Sequence, residues 1–202
     1  MLAKKEFVIR VENACDEVIA NEAQLTEIDA RFGDGDHGVA MVRICNTIKK
    51  ALANPADSIK AILDEAASEV MFINGGSAVP LWSTWLDGLQ EKAPDGPEVD
   101  EEGLKAMFAN ALTNLSAVSK AKIGDKTMMD TLIPASEAIA NCDGDVDAIF
   151  ADAAKAAIAG AENSKNFPSK FGRARSYGNA TIGVPDVGAV SMCHFFVGLS
   201  RK

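Results

Sequence analysis

Glu27-Ile-Asp-Ala-Arg-Phe-Gly-Asp-Gly-Asp-His-Gly38 packs three carboxylates (Asp29, Asp34, Asp36) and one imidazole (His37) among three glycines, Gly33, Gly35 and Gly38. Like charges held this close cost energy unless a cation neutralises them. The glycines permit positive-φ turns that fold carboxylates inward. Small hard cations such as Mg²⁺ take oxygen ligands and work mostly through phosphates, so one reading is a metal–phosphate loop. The other is a solvated acidic turn, which is what most short Asp/Gly runs are. The stretch also interrupts a helical pattern on both sides of it, and the fold is read from where such interruptions fall.

Before it, residues 4–21 place Phe7, Val8, Val11, Cys15, Val18 and Ile19 at helical spacing. After it, residues 39–53 place Val42, Cys45, Ile48 and Leu52 on one face until Asn54-Pro55 ends the run. Further helical segments are expected over 57–73, 80–91, 101–119, 128–140, 146–163 and 187–200. Their separators are Asn74-Gly75-Gly76-Ser77, Pro94-Asp-Gly-Pro97, Lys120–Thr127, Asn141-Cys-Asp-Gly144 and a long Gly-, Arg- and Ser-rich loop over 167–185. No strand alternation persists, and no linker or repeat divides the chain, so a single all-α domain is expected over 1–202.

Eight helices on mostly short connections run up and down as antiparallel neighbours. The first, third, fifth and seventh connections then share one end. These are the Asp29–His37 stretch, the Gly75-Gly76 turn, the Lys120–Thr127 segment and the 167–185 loop. The other end receives plain turns. One end is chemically loaded and the other is bland.

Composition narrows the function. The net charge of −9 argues against direct contact with nucleic acid or an anionic membrane. No apolar run reaches the ~20 residues that span a bilayer, and the first residues show no secretory pattern. The cysteines Cys15, Cys45, Cys142 and Cys193 form no CxxC pair and read as reduced core thiols of a cytoplasmic protein.

The loaded end supplies what a nucleotide site needs: carboxylates for a metal, glycine-rich helix starts for anions, and Arg173 and Arg175 for phosphate oxygens. Each has a plainer reading. Gly75-Gly76 suits a helix stop, and Lys126, Arg173 and Arg175 suit solvated surface. Trp82 and Trp85 suit the core, and His194 a satisfied helix-edge position. No Walker loop or protein-kinase motif set is present.

Taken together, Asp29…Gly33-Asp34-Gly-Asp36-His37-Gly38, Gly75-Gly76-Ser77, Gly124-Asp125-Lys126-Thr127-Met128, Gly172-Arg173-Ala174 and Asp186-Val-Gly188-Ala189 resemble the nucleotide-binding L subunit of dihydroxyacetone kinases. The resemblance runs over essentially the whole chain. It implies an eight-helix antiparallel up-and-down barrel with ADP or ATP and two Mg²⁺ at one rim. By resemblance, Asp29, Asp34 and Asp36 hold metal. His37, Gly38, Val39, Ala40, Ser77, Ala78, Ser119, Met128, Arg173, Asp186, Val187 and Gly188 line the nucleotide. The family's L subunit passes the γ-phosphoryl group to a ketose held covalently on a separate K subunit, so no substrate histidine is expected here. In the phosphoenolpyruvate-dependent systems of glycerol metabolism, a phosphotransferase-system M subunit recharges the bound nucleotide. An alternative is a non-catalytic module of the same fold that binds a transcription activator. The sequence departs from the family pattern at Gly75-Gly-Ser-Ala-Val79, Ala40 and Arg175. The 167–185 loop is expected to be mobile without ligand and to order as a lid over Mg-nucleotide.

Overall fold

The computed structural model describes residues 1–55 and 58–202; the expected start of the third segment at Asp57 lies outside them. Among the described residues the α-helices are α1 (Lys4–Ala20), α2 (Glu22–Ala30), α3 (His37–Leu52), α4 (Ile59–Met71), α5 (Ala78–Gln90), α6 (Glu101–Val118), α7 (Met129–Asn141), α8 (Val146–Asn163) and α9 (Val187–Leu199). A two-residue ribbon pairs β1 (Leu2–Ala3) antiparallel with β2 (Glu98–Val99).

The helix not expected is α2. It buries only Leu25 fully, so no apolar stripe advertises it. It carries the chain on from α1 after a break at Asn21, whose Nδ2 donates to the Glu17 carbonyl at 2.8 Å. Asp29 therefore projects from a helix, while Asp34 and Asp36 sit in the loop that follows.

Packing closes the ring. α1 packs on α3, each helix from α3 to α8 packs on the next in sequence, and α9 returns to α1. With α2 extending α1, this is the expected eight-position barrel. Its interior holds aromatic rings. Trp82 meets Trp85 edge-on at 5.6 Å and Phe195 at 5.1 Å. Phe108 links Trp85 to Phe150 at 6.0 and 6.1 Å. The Arg10 guanidinium caps the column 5.2 Å from the Phe150 centroid. Arg10 is fully buried and reaches Glu6, Asp147 and the Leu199 carbonyl, tying α1, α8 and α9 together at the bland end. Cys15, Cys45 and Cys142 are buried and all four cysteines are free thiols, as expected.

The long loop differs from expectation. Rather than irregular chain, it is wound into 3₁₀ turns at Ser164–Asn166 and Arg173–Thr181, the second broken at Gly178.

The seam between α9 and α1 depends on Gly198. A Cβ there would lie 2.3 Å from the Ala14 Cα and 2.5 Å from the Asn13 carbonyl, both backbone atoms that cannot step aside. Gly198→Ala is expected to destabilise the chain by about 1–3 kcal/mol despite the better helix propensity of alanine. Gly96→Ala, where nothing lies within 4 Å, is expected to be near neutral. Denaturant midpoints of the two variants check this, and equal midpoints would show that the seam relaxes.

Candidate functional site

At the loaded end the barrel opens into a cavity of about 500 Å³. Helix starts and loops ring it: the α2–α3 loop, the first turns of α3, α5 and α9, the α6–α7 segment and the 171–188 region. The aromatic column stops at Trp82, which is both core and cavity floor.

The helix ends differ between the two rims. At the bland rim Ser58, Asp100 and Asp145 cap α4, α6 and α8, accepting from Ala61, Gly103 and Ala148 N–H. At the loaded rim α3, α5 and α7 have no N-cap side-chain bond. Their first turns turn donors and the positive end of the helix dipole toward the rim. Side chains reach two of these starts, Asp29 accepting from His37 N–H at 3.3 Å and Thr127 Oγ1 from Met129 N–H at 3.2 Å, and Asp186 caps α9, accepting from Ala189 N–H at 2.8 Å.

The acidic loop wraps onto α2. Gly33 N–H donates to the Asp29 carbonyl at 2.6 Å. A Cβ on Gly33 would fall 2.1 Å from Asp29 Oδ1, so only glycine leaves that carboxylate its place. Gly35 turns the chain at φ 74°. Oxygens of Asp29, Asp34 and Asp36 then lie within 4.8 Å of one another. Burial, followed by the charges of Asp34 and Asp29, raises the Asp36 pKa, and Arg173 opposes the rise. Arg173 crosses from the long loop to pair with Asp34 at 2.7 Å. Beside that pair Phe32 packs on Tyr177 with centroids 5.2 Å apart.

Most expected site residues converge here. Asp29, Asp34, Asp36, His37, Ala40, Ser77, Ala78, Ser119, Met128, Arg173, Asp186, Val187 and Gly188 all line the cavity. Gly38 and Val39 do not. Gly38 is pressed against α2, where a Cβ would meet the Glu22 carbonyl at 2.4 Å, and Val39 faces outward, 39 % exposed. Arg175 is also outside the lining. Lys126 overturns its surface reading: it is 4 % exposed, and its ammonium donates to three carbonyls. Backbone acceptors leave no mark in a sequence, so nothing in the residue types announced it. His194 is satisfied by Gln24 and Glu17, as expected.

Residues 31–201 match the family described as the DAK2 domain. The chain is 31% identical to the ADP-binding subunit DhaL of PEP-dependent dihydroxyacetone kinase 1 of Listeria innocua, over 97% of this chain and 96% of that one. It is 33% identical to the L-erythrulose kinase of Pectobacterium atrosepticum over 89% of its own length, but spans only 31% of that longer enzyme. Its fold matches the crystal structure of the dihydroxyacetone kinase from C. freundii in complex with AMP-PNP and Mg²⁺. The TM-score there is 0.75 at 24% identity, covering 96% of this chain and 33% of that one.

Two wall groups carry shifted protons. Burial pushes Asp186 up to about 7 and His37 down to about 4. Folded Asp186 keeps a proton that the unfolded chain loses near 3.8, so its contribution to stability is lost as pH rises toward 7. Folded His37 lacks a proton that the unfolded chain holds below 6.5, so its contribution is lost as pH falls toward 4. The two slopes oppose each other in the shared window. Stability of Asp186→Asn, relative to wild type, should therefore rise with pH between about 4 and 6.5, and that of His37→Asn should fall, each by at most about 1.4 kcal/mol per pH unit. Urea titrations across this range check the signs; parallel curves for all three proteins would mean that neither group is buried in solution.

Proposed function

We propose that this chain, which belongs to the DAK2 domain family, is the Mg²⁺–ADP/ATP-binding subunit of a kinase for a three- or four-carbon ketose. The observation that carries the reading is the meeting of the three-carboxylate loop with Arg173 at the mouth of a cavity ringed by helix starts. The residues fit the ligand at both ends. Trp82, Leu81, Val118, Met128 and Val187 give the cavity apolar walls suited to a base. The opposite side offers acids for metal and donors for phosphate.

Asp29, Asp34 and Asp36 would hold Mg²⁺, two ions being the family's number. Bound Mg²⁺ would neutralise charge on the bridging phosphate oxygens during transfer. Arg173 is in place to pair with a phosphate oxygen, and the first turns of α3 and α5 can donate N–H groups to others. His37 stays neutral near pH 7, its Nε2 3.1 Å from Ser191 Oγ. It serves as a hydrogen-bonding wall group rather than an acid.

The ketose would be held elsewhere. Eight of the eleven large apolar residues exposed among the described ones lie at the loaded end, Phe72, Val118, Ile123, Phe171, Tyr177 and Ile182 among them. Such a collar suits a protein partner, and a ketose-binding K subunit is the partner that would bring the acceptor hydroxyl to the nucleotide. Recharging of the nucleotide in place by a phosphotransferase-system M subunit, in the cytoplasm, belongs to the same proposal. Relatives named for dihydroxyacetone and for L-erythrulose support this substrate class.

Asp34→Ala and Asp36→Ala are each expected to weaken Mg²⁺-dependent ADP binding at least tenfold, about 1.4 kcal/mol, with helix content unchanged. Calorimetry with and without Mg²⁺ measures it, and unaltered affinity in both variants overturns the metal reading. Phe72→Glu, altering a residue 83 % exposed, should leave Mg-ADP affinity intact but cut phosphoryl transfer with the cognate ketose-binding subunit by about tenfold or more. Unaltered transfer would take the partner off this face.

A further inference from the structure

Lys126 has no role in the chemistry above, yet its surroundings are built around it. It is the one non-glycine residue with positive φ among those described, at 60°, a conformation that costs a side-chain-bearing residue energy. The turn that imposes it is fixed by Asp130, whose carboxylate accepts from Gly124 N–H at 2.6 Å and Thr127 N–H at 2.8 Å. The side chain then runs under the long loop. Its ammonium donates to the carbonyls of Ser164 at 2.9 Å, Phe167 at 3.1 Å and Val184 at 2.5 Å. Three acceptors match the three N–H bonds of an ammonium. Burial lowers the Lys126 pKa, against the raising influence of Asp186 and Asp130.

The positions of the three carbonyls matter. Ser164 and Phe167 lie where the loop leaves the barrel and Val184 where it returns. One charged group thus pinches the base of residues 164–184. Smaller bonds support the same closure: Gly183 N–H to the Lys165 carbonyl at 2.8 Å, and Asp186 N–H to Ser164 Oγ at 3.0 Å. A second lysine, Lys170, pairs with Asp125 on the same turn at 2.6 Å. Within the pinched loop stands Arg173, and directly after it begins α9 with Asp186.

We propose that Lys126 is a positioning residue for the nucleotide site: by closing the base of the long loop it sets Arg173 over the acidic loop, its own ammonium being taken up by the three carbonyls. The proposal rests on the nucleotide reading for its effect on binding, but the pinch stands on geometry alone. In Lys126→Met, ligand-free hydrogen exchange should rise at least tenfold across residues 167–185 while α4 and α5 keep their protection. Mg-ADP affinity should fall at least tenfold in the otherwise wild-type chain but less than twofold in an Arg173→Ala background, because a removed arginine cannot be mispositioned. Equal losses in both backgrounds overturn the proposal, as does unchanged exchange in the loop. If the wild-type chain binds no Mg-ADP, the nucleotide reading fails, and the ligand-free exchange still decides the pinch. Should Lys126→Met not fold, ¹⁵N spectra of lysine-labelled wild-type protein serve instead. One ammonium signal protected from solvent exchange is expected, and its absence overturns the pinch.

Discussion

A ring of eight helices encloses an axis that side chains must fill, and the rest of this structure follows from how far they fill it. Aliphatic chains on opposite walls leave a gap that aromatic rings bridge. Trp82, Trp85, Phe108, Phe150, Phe195 and Phe196 meet edge-on along that axis, the arrangement that ring quadrupoles favour. Arg10 closes the column at one end through its cation–π contact. At the other end the column stops at Trp82, and the cavity is the unfilled remainder of the axis. The column's cost includes one buried indole N–H, at Trp85, without a partner among the described residues, worth about 1–3 kcal/mol.

Filling one end and leaving the other open gives the two rims different electrostatics. At the filled rim, side-chain caps satisfy α4, α6 and α8, and Arg10 gathers Glu6, Asp147 and the end of α9. At the open rim the N-cap residues of α3, α5 and α7 make no such bond, Asp29 and Thr127 each taking a single first-turn N–H of α3 and α7, and three carboxylates crowd together beside them. Arg173 is the cation that currently reaches the group, through Asp34. It meets one carboxylate of three, so the loop still calls for a cation, while the remaining first-turn donors, those of α5 above all, call for an anion. A metal–phosphate ligand answers both demands at once.

Much of this was legible before any coordinates. Apolar spacing located eight helical segments to within a few residues, and alternation of connections separated the rims. The spacing of Asp29, Asp34 and Asp36 among glycines marked the loop where three carboxylates meet. What escaped did so for physical reasons. α2 buries one residue fully and so has no stripe to read. Lys126 is satisfied by backbone carbonyls drawn from residues 38 to 58 positions away, which no residue pattern encodes. Val39 sits only two residues after His37, but helical geometry turns its side chain outward. The long loop looked unstructured because its order comes from 3₁₀ turns, the Lys126 tie and the Ser169–Thr181 bond rather than from buried apolar surface.

The distribution of unfavourable features is itself evidence. Every positive-φ residue described, Gly35, Gly124, Lys126, Gly172, Gly178 and Gly183, lies in a connection at the open rim. So do the carboxyls held above their ordinary pKa, Asp36 and Asp186, and the bases held below it on the cavity wall, His37 and Lys126. Exposed apolar side chains gather there as well. A chain selected for stability alone would have no reason to place strain, desolvation and exposed apolar surface at the same rim. Local rules agree with the fold through the helices and at the filled rim, and they are broken together where the cavity opens. Function is where such violations are tolerated. Here backbone angles, burial and charge set the open rim apart from the rest of the barrel, independently of any relative.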